Sequence, residues 1–386
     1  MSTDRTVFIY ADEYQQYSFH EDHPFNQRRL LLTIDLLEIK GALSADQMVS
    51  PSRIAGSTLN TIHSEDYIQA VKKASSSEPV NMEKYGIGTN DTPSFPGMYD
   101  AALLTVAGSV EACQQVADGK AVHALNLGGG LHHGFPSRAS GFCIFNDIAV
   151  AIKGLRETYG LKVLYIDTDA HHGDGVQHCF YDDPNVCTVS FHETGRYLYP
   201  GTGKTSERGI KQGFGSCYNF PLDAFTEDDS FLEVFRTSIE IITEDFRPDI
   251  IVSQHGVDAH YLDPLTHLHC TVHIFEQIPK IIHSLAHRFT GGKWVALGGG
   301  GYDIWRVVPR AWAQLWQIMN TDQIFQGIIP QQWLDNWQPS SPVRLPNSWH
   351  DSGEQYKAIP RRLEISEQNQ IMYQQVLKFI TNKKKG

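Results

Sequence analysis

Asp167, Asp169, His171 and Asp174 are packed into one short stretch, DTDAHHGDG. Like charges at such range are costly without a compensating cation. Asp169 and His171 stand two apart, so an extended segment turns them to the same side. Asp258, in HGVDAHYLDP, can complete a set of two carboxylates and one imidazole. Three protein ligands leave a position open for water or substrate, which marks a catalytic metal rather than a structural one. A mixed O/N set favours Zn2+, with Fe2+, Co2+ or Mn2+ as further candidates. The bland alternative is an Asp/His turn that caps a helix, and it leaves a second histidine cluster unexplained.

That second cluster is His132–His133, just beyond Gly128–Gly130. Core packing does not account for both, since the side chains of adjacent residues are expected to diverge. Histidine is the usual general base near neutrality, and a carboxylate behind it fixes its tautomer. Asp167 and Asp174 are the spare acids available for that task. Tyr302 follows the glycine run Gly298–Gly301. Glycines let a backbone approach a ligand closely, and a tyrosine there can donate a hydrogen bond to a developing oxyanion. The run lacks the GxGxxG register and following acid of a dinucleotide site.

Short apolar, β-branched runs have to hold these loops. Strands are expected at Thr6–Tyr10, Ala121–Leu127, Val163–Ile166, Val186–Phe191, Ile250–Gln254 and Trp294–Leu297. Amphipathic segments at Tyr99–Ala117, Asp147–Thr158 and Ser230–Phe246 lie between them. Such alternation reads as a mainly parallel sheet covered by helices. The sequences GGGLHHG, DTDAHHGDG, HETGRYLYPGTG, HGVDAHYLDP and GGGGYD each follow a strand. In open α/β sheets ligands bind beyond the carboxyl ends of strands, so these loops converge on one edge. Residues Gln326 to Pro360, rich in Pro, Trp and Gln, read as irregular structure wrapping the domain. A final helix is expected at Glu364–Ile380, before a solvated Lys383–Lys385 tail. We expect residues 1–325 to form the metal-dependent domain and 326–386 to belong to that same unit.

Composition narrows the partners. The 386 residues carry a formal net charge of −12 with acids and bases interspersed, which leaves nucleic acid no basic footprint. The six cysteines contain no CxxC pair, as suits reduced thiols rather than a disulfide framework. No signal-peptide pattern occupies Met1 to Tyr10, and no apolar run is long enough to span a membrane. A cytoplasmic enzyme is expected. No feature sets an oligomeric state.

Taken together, GGGLHHGFPSRASGFCIFND, LYIDTDAHHGDGVQHCFY, VSFHE…YPGTG and LGGGGY resemble the histone deacetylase family of metal-dependent lysine deacetylases. GIGTNDTPSFPGMYDAA and VDAHYLDPLTHL look like its bacterial branch, the acetoin-utilisation deacetylases. The resemblance implies a single-domain arginase/deacetylase-like α/β fold with a central, mainly parallel eight-stranded sheet. It implies that Asp169, His171 and Asp258 hold the metal and that Asp167 and Asp174 back His132 and His133. His133 is then the main proton shuttle and Tyr302 the carbonyl-polarising tyrosine. Phe142 and Tyr199 match the walls of an acyl-lysine tunnel, with Gly141 before one wall and Leu265 at the rim. Asp91 matches an acid that holds the backbone of an acetylated protein or peptide. A structural K+ is implied near Asp167, Asp169, His171, Ser190 and Phe191. Tyr199 adds a hydroxyl where the family often has Phe, and GFGSCYNF matches a second cation position poorly.

Competing readings are separable. An arginase or agmatinase with two Mn2+ ions resembles this chain but needs acids where Gly173 and His260 stand. An acetylpolyamine amidohydrolase shares the catalytic set and differs at the tunnel mouth. A silent module that only binds acetyl-lysine is expected to have lost a ligand or Tyr302.

Overall fold

A computed structural model describes residues 5–76, 82–353 and 356–383. Its centre is one eight-stranded sheet: β1 Thr6–Ile9, β2 Met48–Val49, β3 His123–Asn126, β4 Val163–Asp167, β5 Val186–Glu193, β6 Cys217–Leu222, β7 Ile250–Gln254 and β8 Trp294–Leu297. The order across it is β2-β1-β3-β8-β7-β4-β5-β6, and every pairing is parallel. The sheet is therefore wholly rather than mainly parallel.

Period-2 alternation assigns each strand residue to a face. In β4, Val163 and Tyr165 join the apolar cluster under the helices Met98–Ala117 and Asp147–Tyr159, while Leu164 and Ile166 join the opposite one. The opposite cluster packs the helices Arg28–Ile39, Asp228–Phe246, Ile274–Phe289 and Val308–Thr321. Both faces are buried, so the central strands read as continuous apolar runs. A third cluster lies beneath the loops of the N-terminal third and includes Tyr17, Phe25 and Tyr67.

Two strands escape sequence reading. β2 is two residues long, and β6 contains Asn219 and Pro221. Both are edge strands, where Pro and polar residues are tolerated because one side of the ladder is unpaired. The segment expected to be irregular from Gln326 to Pro360 contains the helix Gln331–Trp337, whose Trp333 is fully buried. The last helix runs Arg362–Lys383, and Lys384 and Lys385 lie outside the described residues.

One buried cluster ties that C-terminal segment to the domain. The Asp351 carboxylate accepts hydrogen bonds from Val272 N at 2.8 Å and Arg310 Nη2 at 2.8 Å, and pairs with His260 Nε2 at 3.0 Å. Burial by itself raises an acid's pKa, yet His260 and Arg310 hold the Asp351 carboxyl well below the usual range. Asp351→Ala should strand the buried Arg310 charge and cost about 3 kcal/mol or more, read from the denaturant midpoint. The sign follows from the depressed pKa: the stabilisation is complete above the unfolded value of 3.8. It is lost as pH falls further. The gap between the two proteins should thus stay constant near neutrality and narrow in acid. A variant as stable as the parent would remove this clamp from the account.

Candidate functional site

Four neighbouring strands, β3, β8, β7 and β4, end at one edge of the sheet, and the loops that follow them build a buried polar centre. Asp169 and His171 come from the turn after β4, and Asp258 from the loop after β7. They are 1%, 7% and 0% exposed. One ligand atom from each lies within 4.8 Å of the others. His171 Nδ1 sits 3.0 Å from Asp169 Oδ1 and 2.9 Å from Asp258 Oδ2. The remaining oxygens are anchored from outside. Asp169 Oδ2 accepts from Gln254 Nε2 and Gly300 N, both at 2.7 Å, and Asp258 Oδ1 accepts from Ala170 N at 2.9 Å. Gly300 must be glycine, since a Cβ there would lie 2.2 Å from Asp258 Oδ2.

Burial and the charge of Asp169 push the Asp258 carboxyl up to about 6. His171, between two carboxylates, is raised well above its ordinary value despite the opposing effect of burial. Two buried acids, each fixed from behind, meet an imidazole at one point and form with it a donor set suited to a divalent cation.

Beside it stand the paired histidines. Contrary to the expectation that adjacent side chains diverge, the rings of His132 and His133 converge, with centroids 4.0 Å apart and Nε2 atoms 3.0 Å apart. The loop that carries them is held by the buried Asp147 carboxylate, which accepts from Gly130 N and Leu131 N at 3.0 and 2.8 Å. Each Nδ1 faces a carboxylate: His132 meets Asp167 Oδ2 at 2.8 Å and His133 meets Asp174 Oδ1 at 2.6 Å. Tyr165 donates to that same Asp167 oxygen at 2.5 Å.

Their environments separate the two rings. Burial opposes charge on both, but Asp167 and Asp169 outweigh it at His132 and raise it to about 9. His133, buried and next to that cation, is lowered to about 4. Neighbouring groups driven apart in this way can serve as an acid and a base at one pH.

Tyr302 is held through its backbone N–H, which donates to Asp263 Oδ2 at 2.8 Å, while Asp263 Oδ1 accepts from Leu265 N at 2.9 Å. One acid thus joins the loop after β8 to the segment that carries Leu265. Arg29 Nη1 donates to the Gly301 carbonyl at 3.2 Å on the other side. Phe142 crosses Tyr302 edge to face with centroids 5.8 Å apart. Gly141 and Phe142 both take the left-handed conformation, at φ 52° and 68°. A Cβ on Gly141 would lie 2.3 Å from the His133 ring. Tyr199, 46% exposed, stands edge-on to His133 at 5.1 Å, and its hydroxyl bonds Ser140 Oγ at 2.5 Å.

Asp91 does not cap a helix. The following helix starts at Met98 with Gly97 as its N-cap, and Asp91 Oδ2 instead accepts from Gly141 N at 2.8 Å. Of the residues assigned to a monovalent cation, Asp167 pairs in register with Ser190 across β4 and β5, and Phe191 is buried against Phe220. Ser190 Oγ is 2.8 Å from His192 Nδ1.

Sequence reading missed Asp147, Tyr165, Gln254 and Asp263, which support the site without lining it. All six cysteines are free, and no helix among the described residues is long and apolar enough to cross a membrane.

The histone deacetylase domain model matches residues 23–319. The chain is 56% identical over 371 residues to the acetoin utilization protein AcuC of Bacillus subtilis (strain 168), covering 94% of each chain. It is 46% identical to the AcuC of Staphylococcus xylosus, over 97% of this chain and 98% of that one. Among solved structures, an HDAC homolog from Aquifex aeolicus superposes with a TM-score of 0.81 at 27% identity, covering 95% of this chain and all (100%) of that one.

Proposed function

Because the chain belongs to the histone deacetylase family, we propose that it hydrolyses the acetyl amide of N6-acetyl-lysine in proteins or peptides, releasing acetate and free lysine. The observation that carries this reading is convergence. Two carboxylate-backed histidines, an Asp–His–Asp donor set and a tyrosine meet at one strand edge under an aromatic mouth.

Asp169, His171 and Asp258 would hold the ion, with Zn2+ the best match to their chemistry and Fe2+, Co2+ or Mn2+ as substitutes. Such an ion supplies Lewis acidity toward water and the acetyl carbonyl. His133, neutral and oriented by Asp174, takes the proton of the attacking water at Nε2. His132, held cationic by Asp167, adds positive charge beside the forming tetrahedral centre. Tyr302 donates its phenolic proton in a hydrogen bond to the oxyanion. The proton on His133 then passes to the departing lysine amine. Phe142 and Tyr199 flank the acyl-lysine stem, with Gly141 and Leu265 at the mouth. A structural K+ near Asp167, Asp169, His171, Ser190 and Phe191 completes the proposal, together with a cytoplasmic location. Residues 1–325 and 326–386 act as one domain.

The two-metal rival finds less support. Gly173 offers no carboxylate, and His260 is turned to Asp351 rather than to the donor set. An acetylpolyamine substrate is the nearer alternative, and Asp91 separates the two. Its carboxylate secures Gly141 beside His133, so Asp91→Ala should slow any substrate somewhat. A peptide whose backbone amides also bond this acid should lose a further 10- to 100-fold or so in kcat/KM, the worth of charge-assisted hydrogen bonds. Turnover of acetyl-lysine peptide, acetylputrescine and arginine by the parent and Asp91→Ala enzymes makes the comparison. Equal losses on peptide and acetylputrescine would leave peptide specificity without its clamp.

A further inference from the structure

At the end of the strands remote from the catalytic edge, three histidines converge. His123 opens β3, and its ring meets those of His283 and His287 at 4.9 and 5.2 Å. His283 and His287 stand one turn apart on the helix Ile274–Phe289, a spacing that sets two imidazoles on one face. Their Nε2 atoms are 3.1 Å from each other. One nitrogen from each of the three rings lies within 4.8 Å of the others. The deacetylation chemistry uses none of them.

Two observations point to a ligand. His123 is 4% exposed, and its Nδ1 is buried without a hydrogen-bond partner, which native structures rarely leave so. The Asp322 carboxylate lies 3.3 Å from His283 Nδ1. A carboxylate behind an imidazole is the arrangement that fixes the tautomer of a metal-ligating histidine and frees its other nitrogen.

We propose that His123, His283 and His287 form a second metal site that takes a divalent transition-metal ion of the Zn2+ class. Three neutral imidazoles suit Zn2+, Ni2+ or Cu2+ and disfavour Mg2+ and Ca2+. His287 is exposed, which leaves an entry path and room for water as fourth ligand. An ion there joins the helix Ile274–Phe289 to the start of β3. The site does not depend on the deacetylase reading, and its donors differ from the carboxylate-rich catalytic set.

Equilibrium dialysis of the chelator-treated full chain against micromolar Zn2+, with metal analysis, tests it. The parent protein should bind two Zn2+ ions and His287→Gln one, with kcat/KM on an acetyl-lysine peptide unchanged in that surface variant. Asp258→Ala should keep the ion that His287→Gln loses. Asp322→Asn, which retains a residue tolerated in the left-handed conformation at that position, should weaken the second ion by about 10- to 100-fold. The proposal is overturned if the parent binds a single ion held by Asp258. It is equally overturned if a His283→Gln/His287→Gln double variant still binds two, since the histidines then only hydrogen-bond to one another.

Discussion

Asp258→Ala should yield a folded protein that neither keeps its catalytic metal nor turns over an acetyl-lysine peptide. Asp258 is fully buried and presents Oδ2 toward His171, while its Oδ1 takes the Ala170 N–H. Removing it deletes one of only three donors. It also leaves His171 facing a single carboxylate and frees a buried backbone N–H. The fold should survive, because the loop carrying residue 258 is pinned independently: Val257 N donates to the Gly300 carbonyl at 2.9 Å. Asp258→Asn is the control for packing, keeping an acceptor for Ala170 while losing the charge. Both variants should lose activity to below about one-thousandth, a loss near 4 kcal/mol in transition-state stabilisation. Metal content is best read in a His287→Gln background, so that only the catalytic centre is counted. One transition-metal ion in His287→Gln and none in the Asp258→Ala/His287→Gln double variant is the expected result. Two tightly held Mn2+ ions at the catalytic centre would defeat the deacetylase reading in favour of an arginase-type site.

What the sequence revealed and what it hid follow from the range of each signal. β4, β7 and β8 are apolar runs buried on both faces, so composition alone marks them. The residues that bear chemistry sit immediately after those strands, and local spacing exposes them as well. The supports are different, because each joins segments that are distant in the chain. Asp147 reads as an acid in the first turn of a helix, favoured there by the dipole, yet its side chain turns back to hold Gly130 and Leu131. Asp263 reads as a turn-former ahead of Pro264, and it does accept from Leu265 two residues on. Nothing local announces that it also holds Tyr302, 39 residues later. Divergence of His132 and His133 is a local inference as well, and the rings instead converge, each held by a carboxylate distant in the chain.

Tyr302→Phe should lower kcat by roughly two to three decades while metal content and fold are unchanged. The donor removed points at charge that develops only in the transition state, and losing one such donor typically costs about 3–4 kcal/mol. The backbone of Tyr302 is fixed by Asp263 and its ring packs against Phe142, so phenylalanine should keep the same place. Burial, reinforced by Asp258 and Asp169, holds the phenol well above its ordinary pKa of 10.0. The hydroxyl is therefore protonated throughout the working range and can donate at every pH. Two consequences separate this role from a structural one. KM for an acetyl-lysine peptide should change little, since the ground-state carbonyl gains less from the bond than the oxyanion does. The shape of the pH–rate profile should also be preserved, because the group that titrates remains the His132–His133 pair. Near-normal turnover in Tyr302→Phe, or a fall in metal content to match the fall in rate, would remove Tyr302 from the chemistry and leave the oxyanion to the ion and His132.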